Sequence, residues 1–176
     1  MISEVTILRQ RVAELEAADR RIKGVLSQKT AFIELLKVVA TSAQEGATIE
    51  NVMQICLEQI CTRLGWPIGH IYQVTPESAP ETISTDLWYL ADPERFAAFR
   101  QATDQLRSIE GQGLPGQVIA ARKPIWIADV AQAPNFLRAE PARKIGLKTG
   151  FGLPVLIRGE VTAVLEFFST DHFEMD

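Results

Sequence analysis

Phe151-Gly152-Leu153-Pro154-Val155-Leu156-Ile157-Arg158-Gly159-Glu160-Val161-Thr162-Ala163-Val164-Leu165-Glu166-Phe167-Phe168 decides the fold. Two apolar, β-branched and aromatic runs flank a short polar turn containing Gly159, which predicts a closing antiparallel hairpin: Phe151 to Ile157, a turn at 158–160, then Val161 to Phe168. Working outward, Asp129 to Lys148 reads as an irregular excursion with one helical stretch, and Ile125 to Ala128 before it as a strand. Trp66 to Val74 and Ile83 to Leu90 are two further strands, expected to pair antiparallel across a loop containing Pro76 and Pro80. Asp92-Pro93-Glu94 caps a helix with Phe96, Phe99 and Leu106 on its inner face, ending near Arg107. Helices placed before and between antiparallel strands define an α+β domain.

Gly111-Gln112-Gly113-Leu114-Pro115-Gly116 lacks the Lys-Ser/Thr of a phosphate loop and the Gly-x-Gly-x-x-Gly order after a strand. It reads as a turn that opens a short helix at Leu114 or Pro115 and runs to Arg122. Upstream, Thr48 starts a helix whose Ile49, Val52, Met53, Cys56, Ile60 and Leu64 recur at helical spacing, and Gly65 stops it. Cys56 and Cys61 are the only cysteines. Their spacing fits neither a Cys-x-x-Cys redox pair nor a zinc knuckle, so they are small core residues or, on the alternative reading, redox or ligating thiols.

The N-terminal residues follow another rule. Val5, Leu8, Val12, Leu15, Asp19, Ile22, Leu26, Lys29, Ile33, Leu36, Ala40 and Ala43 alternate spacings of three and four, a heptad seam. Some forty helical residues extend about 60 Å, longer than one small domain can cover. A parallel coiled coil is therefore expected, with Val5, Leu8, Val12, Leu15, Ile22, Leu26, Ile33 and Leu36 at the dimer seam. The division read from this pattern is a seam helix at 1–29, a domain at 30–171 and the start of a connector at 172–176.

The chain of 176 residues carries 18 basic and 22 acidic side chains, a net charge of −4. That balance gives no basic footprint for nucleic acid or anionic membrane. No apolar run nears the roughly 20 residues of a bilayer span, and no signal sequence opens the chain, so a cytoplasmic location is expected. No activated Ser or Cys lies beside a His, and the acidic residues show no metal-ligand spacing.

Gly65-Trp66-Pro67-Ile68-Gly69-His70-Ile71-Tyr72, Gly113-Leu114-Pro115-Gly116, Pro124-Ile125-Trp126-Ile127-Ala128-Asp129-Val130, Gly152-Leu153-Pro154-Val155 and Val164-Leu165-Glu166-Phe167-Phe168-Ser169 together resemble a GAF domain from about Thr30 to Asp171. The resemblance implies a PAS-like antiparallel sheet with helices on one face and loops closing a small-molecule pocket on the other. It also implies a non-catalytic sensory module, usually dimeric, within a bacterial histidine kinase, diguanylate cyclase or related protein. Family members usually continue into a helix leading to an output domain, so a fragment of a longer regulatory protein is expected. Phytochrome-like members attach a bilin through a cysteine in the loop corresponding to Ala133 to Gly150. That stretch has none, which excludes covalent attachment there. Only Asn135-Phe136 echoes the Asn-Lys-Phe-Asp-Glu signature of cyclic-nucleotide members, so cyclic GMP is not an expected ligand. The methionine sulfoxide reductases of this fold use several cysteines near the pocket, whereas Cys56 and Cys61 share one early helix.

On the resembled fold His70 and Glu166 fall side by side on central strands. A His–carboxylate contact there is either a pH-sensitive, ligand-contacting pair or a satisfied buried pair. Arg138, Arg143, Lys144 and Lys148 form the one local basic cluster, in the segment that lines the pocket in the family. It would either hold an acidic ligand or present a solvated helix face. Trp88, Trp126, Phe136 and Phe151 complete the candidate ligand set, with strand alternation deciding which of them face the pocket.

Overall fold

The Thr48 side chain accepts a hydrogen bond from the Asn51 N–H at 3.3 Å and so caps α1 (Ile49–Leu64), which Gly65 ends in the left-handed conformation at a φ of 67°. This is a computed structural model that describes residues 9–16, 18, 48–77 and 79–173. The chain divides into two compact units, Met1–Gly46 and Ala47–Asp176. In the first, residues 9–16 are helical and Val12 and Leu15 are exposed. Val5, Leu8, Ile22, Leu26, Ile33 and Leu36 of the expected seam lie outside the described residues, as does the expected entry of that helix into the domain at 30–43. Among the described residues no helix is long and apolar enough to cross a membrane.

In the second unit α1 is followed by β1 (Ile68–Val74), β2 (Thr82–Leu90), α2 (Pro93–Asp104), α3 (Gly113–Ala121), β3 (Ile125–Ile127), α4 (Ala139–Lys144), β4 (Thr149–Ile157) and β5 (Glu160–Ser169). The strands form one antiparallel sheet in the order β2-β1-β5-β4-β3. Asp92 caps α2 through the Arg95 N–H at 3.0 Å, with Pro93 in the first turn. The β4–β5 hairpin turns on Arg158 and Gly159, at φ of 54° and 86°. Two consecutive positive φ values match the right-handed twist of the strands, and they shorten the turn by one residue from the sequence expectation. Pro154 is tolerated within β4 because β3 pairs only with Gly150 to Gly152, leaving the β3 side of β4 open at position 154.

Both faces of the sheet are covered by helices, which corrects the expectation of helices on one face and loops on the other. Leu57 and Cys61 of α1 pack with Trp66, Ile71, Leu165 and Phe167 on one face. Phe96 and Phe99 of α2, Leu114 and Val118 of α3, and Ala142 of α4 pack with Ile68, Tyr72, Val164 and Phe168 on the other. Two covered faces are why β1 and β5 are buried almost end to end.

Candidate functional site

Alternation along β1 sends His70 and Tyr72 to the α2–α4 face, and alternation along β5 sends Glu166 and Phe168 there too. His70 and Glu166 are register partners on adjacent strands, as expected, and neither is exposed. Their side chains, however, have other partners. One terminal nitrogen of Arg138 donates to both Glu166 carboxylate oxygens, at 2.7 and 2.8 Å, and the other donates to Thr103 Oγ1 at 2.9 Å. Arg138 is only 2% exposed. The expected His–carboxylate contact is thus replaced by a buried Arg–carboxylate pair, and Arg138 lies neither on a solvated face nor free to receive an acidic ligand by itself.

The Arg138 guanidinium is enclosed by the rings of Tyr72, Phe99, Phe136 and Phe168, with 5.1 to 5.9 Å from its central carbon to each centroid. Burial works against its charge, but the Glu166 carboxylate and its hydrogen bond, together with Tyr72, outweigh this and hold Arg138 above the ordinary arginine range. Burial pushes the Glu166 carboxyl up, and Arg138 pulls it back.

β2 carries a bulge beside this pair. His70 pairs with Trp88 but Tyr72 with Ser84, so residues 85–87 stand opposite Ile71 alone, and the Thr85 hydroxyl donates to the Ile71 carbonyl at 2.7 Å. Through the bulge Ser84 comes within 3.0 Å of His70 Nε2 while donating to Asp104 Oδ1 at 2.8 Å. A hydroxyl has one proton, so Ser84 accepts from His70, which fixes the Nε2–H tautomer and leaves Nδ1 with a lone pair. The His70 ring stacks on Trp88 at 3.9 Å and meets the edge of Tyr72 at 4.5 Å. Among the described residues four buried side-chain polar atoms lack a partner: His70 Nδ1, Trp88 Nε1, Arg138 Nε and Ser108 Oγ. The first three belong to this one cluster.

Burial, then the Arg138 charge, hold His70 well below its ordinary value of 6.5, with Arg100 adding to this and the Thr85 backbone opposing it. The folded domain therefore keeps His70 neutral where the unfolded chain takes up a proton. Below pH 6.5 the unfolded state binds more protons, so this contribution is complete above that pH and is lost as pH falls, at about 1.4 kcal/mol per pH unit. Urea unfolding from pH 8 to 5 should show stability falling below about pH 6.5 from this source, and His70→Phe should remove that part of the slope. An unchanged slope in the variant would place the acid sensitivity elsewhere.

Of the sequence candidates, the fold brings together His70, Trp88, Phe136, Arg138 and Glu166. It places Trp126 and Phe151 on the opposite face, where Trp126 packs against Trp66 at 5.7 Å and against Phe151 at 5.8 Å. Alternation is the reason: Ile125 and Ile127, not Trp126, face α3. Arg143 is exposed and donates to the Ala131 carbonyl at 3.0 Å, away from the cluster. Cys56 and Cys61 are buried on the α1 face, and burial pushes both thiols up. Tyr72, Ser84, Phe99, Thr103, Asp104 and Phe168 were missed. Tyr72 and Phe168 lie two residues beyond His70 and Glu166 and so share their face, and Thr103 lies one turn beyond Phe99. A separate cleft of about 510 Å3 opens further along β1, between Val74, Pro76, Pro80, Ile119, Val161 and neighbouring residues, and contains none of the candidates.

The described unit is thus a five-stranded antiparallel sheet covered on both sides, with a closed polar cluster beneath an excursion from β3 to β4. A family model for the GAF domain matches residues 46–175, and the chain belongs to that family. No curated protein sequence matches it. The solved structures it is similar to include the nlh2 GAF domain of A. aeolicus in an inactive state, at TM-score 0.61 and 18% identity, covering 85% of this chain and 82% of that one. The free methionine-R-sulfoxide reductase of Neisseria meningitidis in complex with its substrate matches at 0.61 and 18%, covering 81% and 74%. The GAF domain of an Acinetobacter phosphoenolpyruvate-protein phosphotransferase matches at 0.60 and 14%, covering 84% and 81%.

Proposed function

We propose that this domain is the non-catalytic sensory part of a bacterial signal-transduction protein such as a histidine kinase or diguanylate cyclase, and that it takes a small polar molecule in the compartment of His70, Trp88, Arg138 and Glu166. The observation that carries the reading is the set of unpartnered polar atoms on His70, Trp88 and Arg138. A buried donor or acceptor without a partner costs about 1–3 kcal/mol, so three in one cluster favour a site completed from outside. Occupancy passes to the output through the N-terminal helix, whose Val12 and Leu15 are 53% and 67% exposed in the single chain and join the other seam positions in a homodimer. A ligand must bind the two signalling poses with different affinity for this to work.

Thermal-shift screening with native mass spectrometry tests the sensor. A compound at a hundredfold excess over its Kd stabilises by about 2.7 kcal/mol, roughly 10 °C for a domain of this size. His70→Phe and Trp88→Phe should each weaken that response, and a response unchanged in both would place the ligand elsewhere. The second reading is a dimerisation module without a physiological ligand. It is favoured by the packing of Tyr72, Phe99, Phe136 and Phe168 around Arg138, which fills the space a ligand would use. A chain lacking residues 1–29 should sediment as a monomer on either reading. Only the module reading survives if no compound in the screen stabilises the domain.

A further inference from the structure

The walls of the compartment that come from regular elements are anionic and aromatic. Glu166 lies within β5, between β1 and β4, while Tyr72 comes from β1, Phe168 from β5 and Phe99 from α2. A buried carboxylate among aromatic ring faces selects a cation. The cation present belongs to the chain itself. Arg138 enters from the irregular excursion between β3 and α4, next to Leu137, which is 51% exposed. Its fit is incomplete, because the Arg138 Nε–H has no acceptor and the His70 Nδ1 lone pair has no donor while it is in place.

We infer that Arg138 is a tethered occupant of a cation site, and that the external ligand is a small organic cation of the guanidinium or amidinium type that displaces it. The inference rests on the reading of this compartment as the ligand site. A planar cation would take over the contacts Arg138 now makes with the Glu166 oxygens and Thr103 Oγ1. Arg138 would leave together with the excursion that carries it. The arm-in and arm-out states then differ in affinity for the ligand, which is the condition for passing a signal. The tether also sets the working concentration, since apparent affinity falls by the fraction of domains whose arm is out.

The test titrates the full chain and Arg138→Ala with ethylguanidinium chloride at ionic strength matched by sodium chloride. It is read by thermal shift and, in the unaltered chain, by the 15N-coupled Nε–H resonance of Arg138. Saturable stabilisation is expected in both, at least tenfold tighter in Arg138→Ala, with the buried Arg138 resonance lost at saturation. The double variant Arg138→Met with Glu166→Leu, which has neither charge, should show no saturable response. The inference is overturned if the unaltered chain does not bind, if it binds with the Arg138 resonance unmoved, or if the two affinities are equal. Should Arg138→Ala not fold, the titration of the unaltered chain decides alone. If acidic or neutral compounds bind and perturb Trp88 instead, the compartment stands as the ligand site and the cation assignment falls. If no compound of any charge perturbs it, both fall.

Discussion

Glu166→Gln is expected to destabilise the domain by about 3–5 kcal/mol, because it leaves the Arg138 guanidinium charged and buried without its counter-ion. Arg138 is 2% exposed, and it would keep only neutral acceptors, Thr103 Oγ1 and the new amide oxygen, with four aromatic faces around it. The ring faces attract the cation equally before and after the substitution, so they do not offset the loss. Removing both charges together gives the opposite expectation: Arg138→Met with Glu166→Leu should return to within about 1 kcal/mol of the parent or exceed it, since two desolvation penalties vanish with the pair. Urea unfolding of the two singles and the double, at constant m-value, closes the cycle. A Glu166→Gln loss below about 1 kcal/mol would mean that the pair does not hold the excursion onto the sheet. The expected loss is large because the contact joins residue 138 to the central strand, so breaking it frees the whole cover of the compartment.

This pair marks the boundary of what the sequence discloses. Strand positions, the caps at Thr48 and Asp92, the stop at Gly65 and the closing hairpin follow from patterns two to four residues long, and they stand within a few residues of expectation. The adjacency of His70 and Glu166 was legible once the strands were placed on the resembled fold. The partner of Glu166 was not, because Arg138 sits in an irregular stretch whose side chains follow no period. Among Arg138, Arg143, Lys144 and Lys148, nothing local says which one turns inward. Trp126 and Phe151 entered the candidate set on their aromatic character with the face left open, and only the phase of the alternation puts them opposite the cluster. The bulge in β2 that brings Ser84 to His70 is likewise a register event, visible only when both strands are laid side by side.

Gly116→Ala should cost about 3 kcal/mol or more, a fall of over roughly 10 °C in Tm, although Gly116 stands in a helix where alanine is ordinarily the better residue. A Cβ at 116 would run into the Ile109 backbone carbonyl. That carbonyl has little room to retreat. Gly111 donates to the Gly116 carbonyl at 2.8 Å, and Gln112 donates to Ile109 at 3.0 Å. On its other side Ser108 exchanges two 2.9 Å hydrogen bonds with Thr82, one to the backbone and one to the hydroxyl. The loop is thus tied to β2 and to α3 at once, and a shift that admits the methyl strains these bonds, of which the two between Ser108 and Thr82 are buried. Gly65→Ala is the informative contrast: its φ of 67° favours glycine, but nothing lies within 4 Å of the added carbon, so only the left-handed backbone cost of about 1–2 kcal/mol applies. Equal losses in the two variants would show that the Ile109 carbonyl gives way to the methyl at modest cost. A loss at 116 at least 1 kcal/mol larger would assign the Gly-Leu-Pro-Gly stretch to close packing of loop on helix, the role that separates it from a phosphate loop.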